Sequence, residues 1–216
     1  MFSFQLLSAL SSVALLVSAA PARRACDTSG AVMDLPSGQT QLVAPTTAPL
    51  YVALGVGVQN YTCNASTLKY TSTGAVASLF DISCIDTTPA FATIQTTAFN
   101  VWSAAPAGAP ATSIGSSIGL PPVLGSHFFV TSPTGTGISP EWSFTNGQFV
   151  IGSKVGDITA PTDSATNVDW LALNNLQGTL ASKIFRIDTV NGQPPSSCVA
   201  GSADISVKYT AKYFLY

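Results

Sequence analysis

The chain has 216 residues, 46% of them hydrophobic and only 8% charged, with a formal net charge of −2. The charged share is about a third of the usual roughly 25%. A disordered chain is excluded because hydrophobicity is not low and net charge is not high. Eight scattered cations exclude a basic nucleic-acid surface, and a single Glu, Glu141, excludes a coiled coil.

Residues 1–19 read as a secretory signal peptide. The apolar run from Leu6 to Val17 is shorter than the about 20 residues a membrane span needs. Val17 and Ala19 place small residues at the −3 and −1 positions of a cut after Ala19. Residues 20–24 then form a short pro-segment ending in the dibasic Arg23-Arg24, and residues 25–216 a single β-rich domain. No later run is long enough for a membrane helix. An oxidising compartment makes two disulfides of Cys26, Cys63, Cys84 and Cys198, with three possible connectivities. The favoured pairs are Cys63–Cys84, closing a short loop between neighbouring strands, and Cys26–Cys198, tying the N-terminal segment to a late loop. Asn60-Tyr-Thr62 and Asn64-Ala-Ser66 are glycosylation sequons, which secretion makes meaningful.

After Cys26 the chain shows short stretches rich in Val, Ile, Thr, Tyr and Phe between Gly, Pro, Asn and Ser. This predicts an all-β domain, an antiparallel sandwich or flattened barrel of about 8–10 strands. Leu50–Gln59 alternates, with Val52, Leu54, Val56 and Val58 on one face and Ala53, Gly55 and Gly57 on the other. The small face invites close approach by a backbone or a large side chain. A phase change near Asn60 predicts a bulge. Strands are expected at 75–83, 93–102, 125–130, 170–173, 180–190 and 205–216. Asn146-Gly147 between apolar runs predicts a two-residue hairpin turn with both residues at positive φ. In the last strand Val207, Tyr209, Ala211, Tyr213 and Leu215 should be buried, with Lys208, Thr210 and Lys212 solvated. Residues 104–122 and 191–198 read as loops.

The chemical motifs are weak. Gly55-Val-Gly57-Val-Gln-Asn60 lacks the third glycine and the helix of a dinucleotide site. Gly115-Ser-Ser117-Ile-Gly119 resembles a nucleophile elbow, but Leu120-Pro-Pro122 prevents the following helix, so it reads as a loop. His127, the only histidine, is a candidate general base or a hydrogen-bonded strand residue. Among Glu141, Asp81, Asp157, Asp169 and Asp188, Glu141 is the most site-like because Trp142 adjoins it. A single histidine and no CxxC argue against a metal site, and no cofactor is expected. Trp142, Tyr61, Arg186 and Trp170 are the candidate ligand-binding residues, with rings at strand ends suited to a sugar or apolar ligand.

Several stretches together resemble a known family. They are Ala53-Leu-Gly-Val-Gly-Val-Gln-Asn-Tyr-Thr-Cys63, Gly125-Ser-His-Phe-Phe129, Val168-Asp-Trp-Leu-Ala-Leu173, the segment from Phe185 to Cys198, and Tyr209-Thr-Ala-Lys-Tyr-Phe-Leu-Tyr216. In this order they are similar to a family of secreted fungal proteins with bacterial relatives, the domain of unknown function 3455, over residues 35–216. The resemblance implies a secreted, mostly β protein and brings no catalytic residues with it. Members are often labelled malate dehydrogenase; the residues here give that label no support, and no NAD is expected. The leading expectation is non-enzymatic extracellular binding of cell-wall carbohydrate or a small apolar ligand. The alternatives are a secreted hydrolase using His127 and Glu141, which predicts that the two converge, and a structural or stress-related protein without a ligand.

Overall fold

The computed structural model describes residues 26–216; the expected signal peptide and the dibasic pair fall outside the described residues. Eight strands, β1 (Tyr51–Asn64), β2 (Lys69–Asp81), β3 (Val123–Thr131), β4 (Ile138–Phe144), β5 (Phe149–Ile158), β6 (Trp170–Gly178), β7 (Lys183–Asn191) and β8 (Ile205–Leu215), run in chain order. Every neighbour is antiparallel, and β8 returns to pair with β1, so the sheet is a closed barrel. Of the two expected architectures the chain takes the barrel, which leaves no open edge.

Closure buries the inner face of the sheet, and part of β1, β7 and β8 is buried on the outer face as well. In β1, Ala53 points into the barrel, where Trp142, Phe144, Tyr209 and Tyr213 pack. Val52, Leu54 and Val56 point outward into a second core with Phe214, Phe185 and Ile187. The glycines of β1 take the expected role: a Cβ at Gly55 would stand 2.5 Å from the Tyr213 ring. β1 stays in unbroken register with β8. The bulge falls on β2, where Asn60 pairs with Gly74 and Tyr61 with Ser72, so Thr73 is the extra residue.

The outer core exists because two helices cover it. α1 (Pro89–Ala104) occupies the segment expected as a strand over 93–102. Its Thr and Val content favours extended structure, but Pro89 suits a first turn. Phe91, Ile94, Gln95, Ala98 and Trp102 are buried at helical spacing. The Trp102 indole donates to the Gly57 carbonyl at 3.1 Å and the Thr210 hydroxyl donates to the Gln95 carbonyl at 2.7 Å. The face of β8 expected in solvent is therefore covered: Thr210 and Lys212 are buried beneath α1. α2 (Thr112–Ser117) lies in the stretch expected as loop and includes Gly115-Ser-Ser117. Gly115 lets it dock, since a Cβ there would meet the Phe80 ring at 2.1 Å. Among the described residues no helix is long and apolar enough to cross a membrane.

The β4–β5 hairpin forms where expected, with a different turn. Gly147 is at φ +86°, while Asn146 is not at positive φ. The Gly147 amide donates to the Phe144 carbonyl and the Phe144 amide to the Gln148 carbonyl. This is a three-residue connection, a type I turn followed by a left-handed glycine.

The disulfides correct the expected pairing. They join Cys26 to Cys84 and Cys63 to Cys198, with Cα separations of 5.0 and 5.9 Å. Cys63–Cys84 is impossible because β1 and β2 form one long hairpin. Cys63 faces Tyr70 near the turn, whereas Asp81, just before Cys84, pairs with Ala53 at the far end. Ten residues of strand, about 33 Å, separate the two ends.

Candidate ligand groove

The barrel interior holds several of the residues singled out in the sequence, packed as core. His127 and Trp142 are register partners and both buried. Their rings stack with centroids 4.5 Å apart, and Tyr213 stands 5.4 Å from the imidazole. His127 Nδ1 lies 2.9 Å from the Glu141 carbonyl oxygen. A carbonyl only accepts, so Nδ1 carries the proton. Burial pushes the imidazole pKa down to about 4, which holds the ring neutral. Tyr209 and Tyr213 share a hydrogen bond of 2.9 Å, and burial raises the pKa of both. The Glu141 side chain is not brought to His127. It pairs with Phe128, one register step away, and so occupies the outer face while His127 is inside. Partial burial raises its pKa.

At one end of the barrel Arg186 donates from Nε and Nη2 to the Asp169 carbonyl, at 3.1 and 2.8 Å. Tyr61 donates to the Gly192 carbonyl at 2.8 Å, and burial pushes its pKa up to about 12. The Asp169 carboxyl is raised by burial first and by Asp157 second, with Arg186 opposing. Asp157 is itself paired with Lys154. Tyr61 and Arg186 are thus each held by a backbone carbonyl.

An open concavity lies outside the barrel. It is a groove of about 710 Å³ between α1, the 161–167 loop, the β7 bulge and the segment around Asp34. Helical spacing places Gln95, Thr96, Phe99 and Asn100 along its wall, opposite Trp170. Asn167 fixes the loop: its Nδ2 donates to the Thr162 carbonyl at 2.9 Å, and its Oδ1 accepts the Asn191 amide. Asp163, Asp188 and Asn191 sit at φ 48°, 50° and 62°. Asp188 occupies the bulge between Ile187 and Val190, and its carboxylate accepts from Lys212 Nζ at 2.9 Å. Gln95 is 9% exposed; its Nε2 donates to the Ala92 carbonyl, and its Oε1 has no partner. A buried acceptor left unmade is costly and marks a place where a donor is missing.

A model of the protein family described as a protein of unknown function, DUF3455, matches residues 44–216. The chain belongs to that family. No curated protein and no solved structure matches it. For this DUF3455 member the groove combines two residues the sequence points to, Trp170 and Asp188, with others it does not. Gln95, Phe99 and Asn100 are hidden from sequence reasoning because their segment carries the composition of a strand, and the helical repeat of Phe91, Ile94, Ala98 and Trp102 was the signal that could have found them. Asp34, Asp163 and Asn167 converge only through tertiary contacts. Trp142, Tyr61 and Arg186 lie in or at the end of the barrel and do not reach the groove's lining. The two sequon asparagines lie near one end of β1. Asn60 accepts from the Ser206 hydroxyl, and the exposed Asn64 accepts the Ser66 and Thr67 amides.

Proposed function

We propose that this protein is an extracellular, non-enzymatic carbohydrate-binding protein, and that the groove beside α1 is where the sugar lies. One observation carries the reading: a concavity within the roughly 300–1,000 Å³ of small-molecule sites that is walled by Phe99 and Trp170 and otherwise lined by amides, hydroxyls and carboxylates. Sugar hydroxyls need such donors and acceptors, and the apolar faces of sugar rings pack on aromatic side chains. The part of the lining on α1 and β7 belongs to regular elements held in place before a ligand arrives, which lowers the ordering cost of binding.

The packing of the barrel interior favours this choice over the apolar-ligand reading. An eight-stranded barrel has room for its own side chains or for one small ligand, and here Trp142, Phe144, Tyr209 and Tyr213 pack together inside it. The hydrolase reading loses its geometric support because His127 and Glu141 face opposite sides of the sheet. Two disulfides suit an oxidising compartment and so favour secretion; the family resemblance favours a secreted fungal protein.

Glycan-array and cell-wall pull-down measurements test the reading. Retention of the wild type, lost in Phe99→Ala and Asn100→Ala variants that melt at the wild-type temperature, is the expected result. Retention unchanged by both substitutions, or no retention of the wild type, overturns it.

A further inference from the structure

We infer that the mature protein carries one N-linked oligosaccharide, on Asn64, and that Asn60 stays bare. This goes beyond the binding reading and rests only on its extracellular part, since the modification needs passage through a secretory compartment. Both residues open an N-x-[ST] motif, Asn60-Tyr-Thr62 and Asn64-Ala-Ser66, and the motif alone does not choose between them. Their places in the barrel do, because a glycan is bulky and must stand in solvent.

Asn60 lies within the sheet. It pairs with Gly74 of β2 on one side and with Ser206 of β8 on the other. It is partly buried, and its Oδ1 accepts the Ser206 hydroxyl at 2.8 Å across the seam that closes the barrel. The Thr62 hydroxyl of the same motif donates to the Asp204 carboxylate at 2.6 Å. An oligosaccharide on Asn60 would start between two paired strands and compete with that seam.

Asn64 is the last residue of β1 and is exposed, at the head of the 65–68 turn. Its Oδ1 accepts the Ser66 and Thr67 amides at 2.9 and 3.2 Å. Backbone amides only donate, so the oxygen faces the turn and Nδ2, the atom that takes the sugar, occupies the other edge of the planar group. The turn is held without that edge: the Leu68 amide donates to the Asn64 carbonyl at 2.8 Å, and the Cys198 amide donates to the Leu68 carbonyl at 2.9 Å, beside the Cys63–Cys198 bond. Two apolar side chains, Leu68 and Val199, are exposed around this disulfide. A hydrophilic glycan over the turn screens them. The transfer itself is redox-neutral. Asn64 Nδ2 bonds to the anomeric carbon of a lipid diphosphate-linked oligosaccharide and gives up one proton. The bond from that carbon to the diphosphate oxygen breaks, and the lipid diphosphate leaves with the electron pair.

The test is secretion of the full 216-residue chain from a yeast host. Protein from the medium is run on a denaturing gel before and after a peptide-N-glycosidase, which frees the sugar. Wild type, Asn64→Gln, Ser66→Ala and Thr62→Val are compared. Ser66→Ala destroys the motif but keeps Asn64 and the amide at 66, so it separates loss of sugar from damage to the turn. The expected result is a single downward shift on digestion in the wild type and in Thr62→Val, and none in Asn64→Gln or Ser66→Ala. No shift in wild-type protein from the medium overturns the inference and leaves the extracellular reading standing. So does a shift that persists in Ser66→Ala or vanishes in Thr62→Val. Absence of the wild type from the medium overturns both.

Discussion

His127 lies almost flat against Trp142 inside the barrel, their ring planes 16° apart and their centroids separated by 4.5 Å. The imidazole is there as a neutral, flat, hydrogen-bonded filler of the core, and this makes it a liability in acid. Its pKa is about 4 in the folded chain, and an unfolded chain binds a proton at the ordinary 6.5. The unfolded state therefore binds more protons between those values, and stability falls as pH drops from 6.5 towards 4. The full effect is on the order of 3 kcal/mol. Urea unfolding at stepped pH should show this slope. His127→Phe should flatten it while lowering stability near neutral pH, because the Glu141 carbonyl loses its donor. A slope unchanged in that variant would assign the acid sensitivity to other groups.

Lys212 and Asp188 form an unequal ion pair. The lysine is buried and the carboxylate is 23% exposed. Removing the carboxylate strands a buried ammonium, whereas removing the lysine leaves an anion that water can reach. Asp188→Asn should thus cost about 3 kcal/mol, and Lys212→Met about 1 kcal/mol or less. Asn keeps the left-handed backbone at 188, so the comparison isolates charge. Equal losses in chemical denaturation would contradict the asymmetry.

Gly115 marks the contact of α2 with the barrel. Gly115→Ala should destabilise by about 1–3 kcal/mol, as expected for overpacking, although alanine is the better helix former. The clash is with the Phe80 ring, so Phe80→Leu in the Gly115→Ala background should recover part of the loss. A thermal melt of the single and double variants decides this.

The disulfides close loops of 58 and 135 residues in sequence separation. Chain entropy alone assigns them about 4 and 5 kcal/mol as upper values. Removing Cys63 and Cys198 together should therefore lower stability at least as much as removing Cys26 and Cys84. Non-reducing peptide mapping should recover a 26–84 and a 63–198 peptide pair; a 63–84 pair would contradict the hairpin register.

Strand alternation, the Gly55 and Gly57 face and the hairpin at Asn146-Gly147 were legible in the sequence because each depends on neighbours a few residues away. So was the all-β class, since eight alternating segments need no knowledge of their partners. The disulfide pairing was not legible: it depends on how long β1 and β2 run before they part, and spacing between cysteines carries no such information. α1 was misread for a related reason. Thr93, Thr96, Thr97 and Val101 favour extended structure locally, and only the outer face of β1, β7 and β8, waiting to be covered, makes a helix the better solution. That same helix buries Lys212 and supplies Gln95, Phe99 and Asn100 to the groove, so the candidate site could not be seen before the helix was. The sequence by itself determined class, strand pattern and scarcity of charge, which are local or compositional. Tertiary structure decided closure into a barrel, the cysteine partners, the burial of His127 and the convergence of Asp34, Asp163 and Gln95. Each of those depends on residues far apart in the chain meeting across a packed wall.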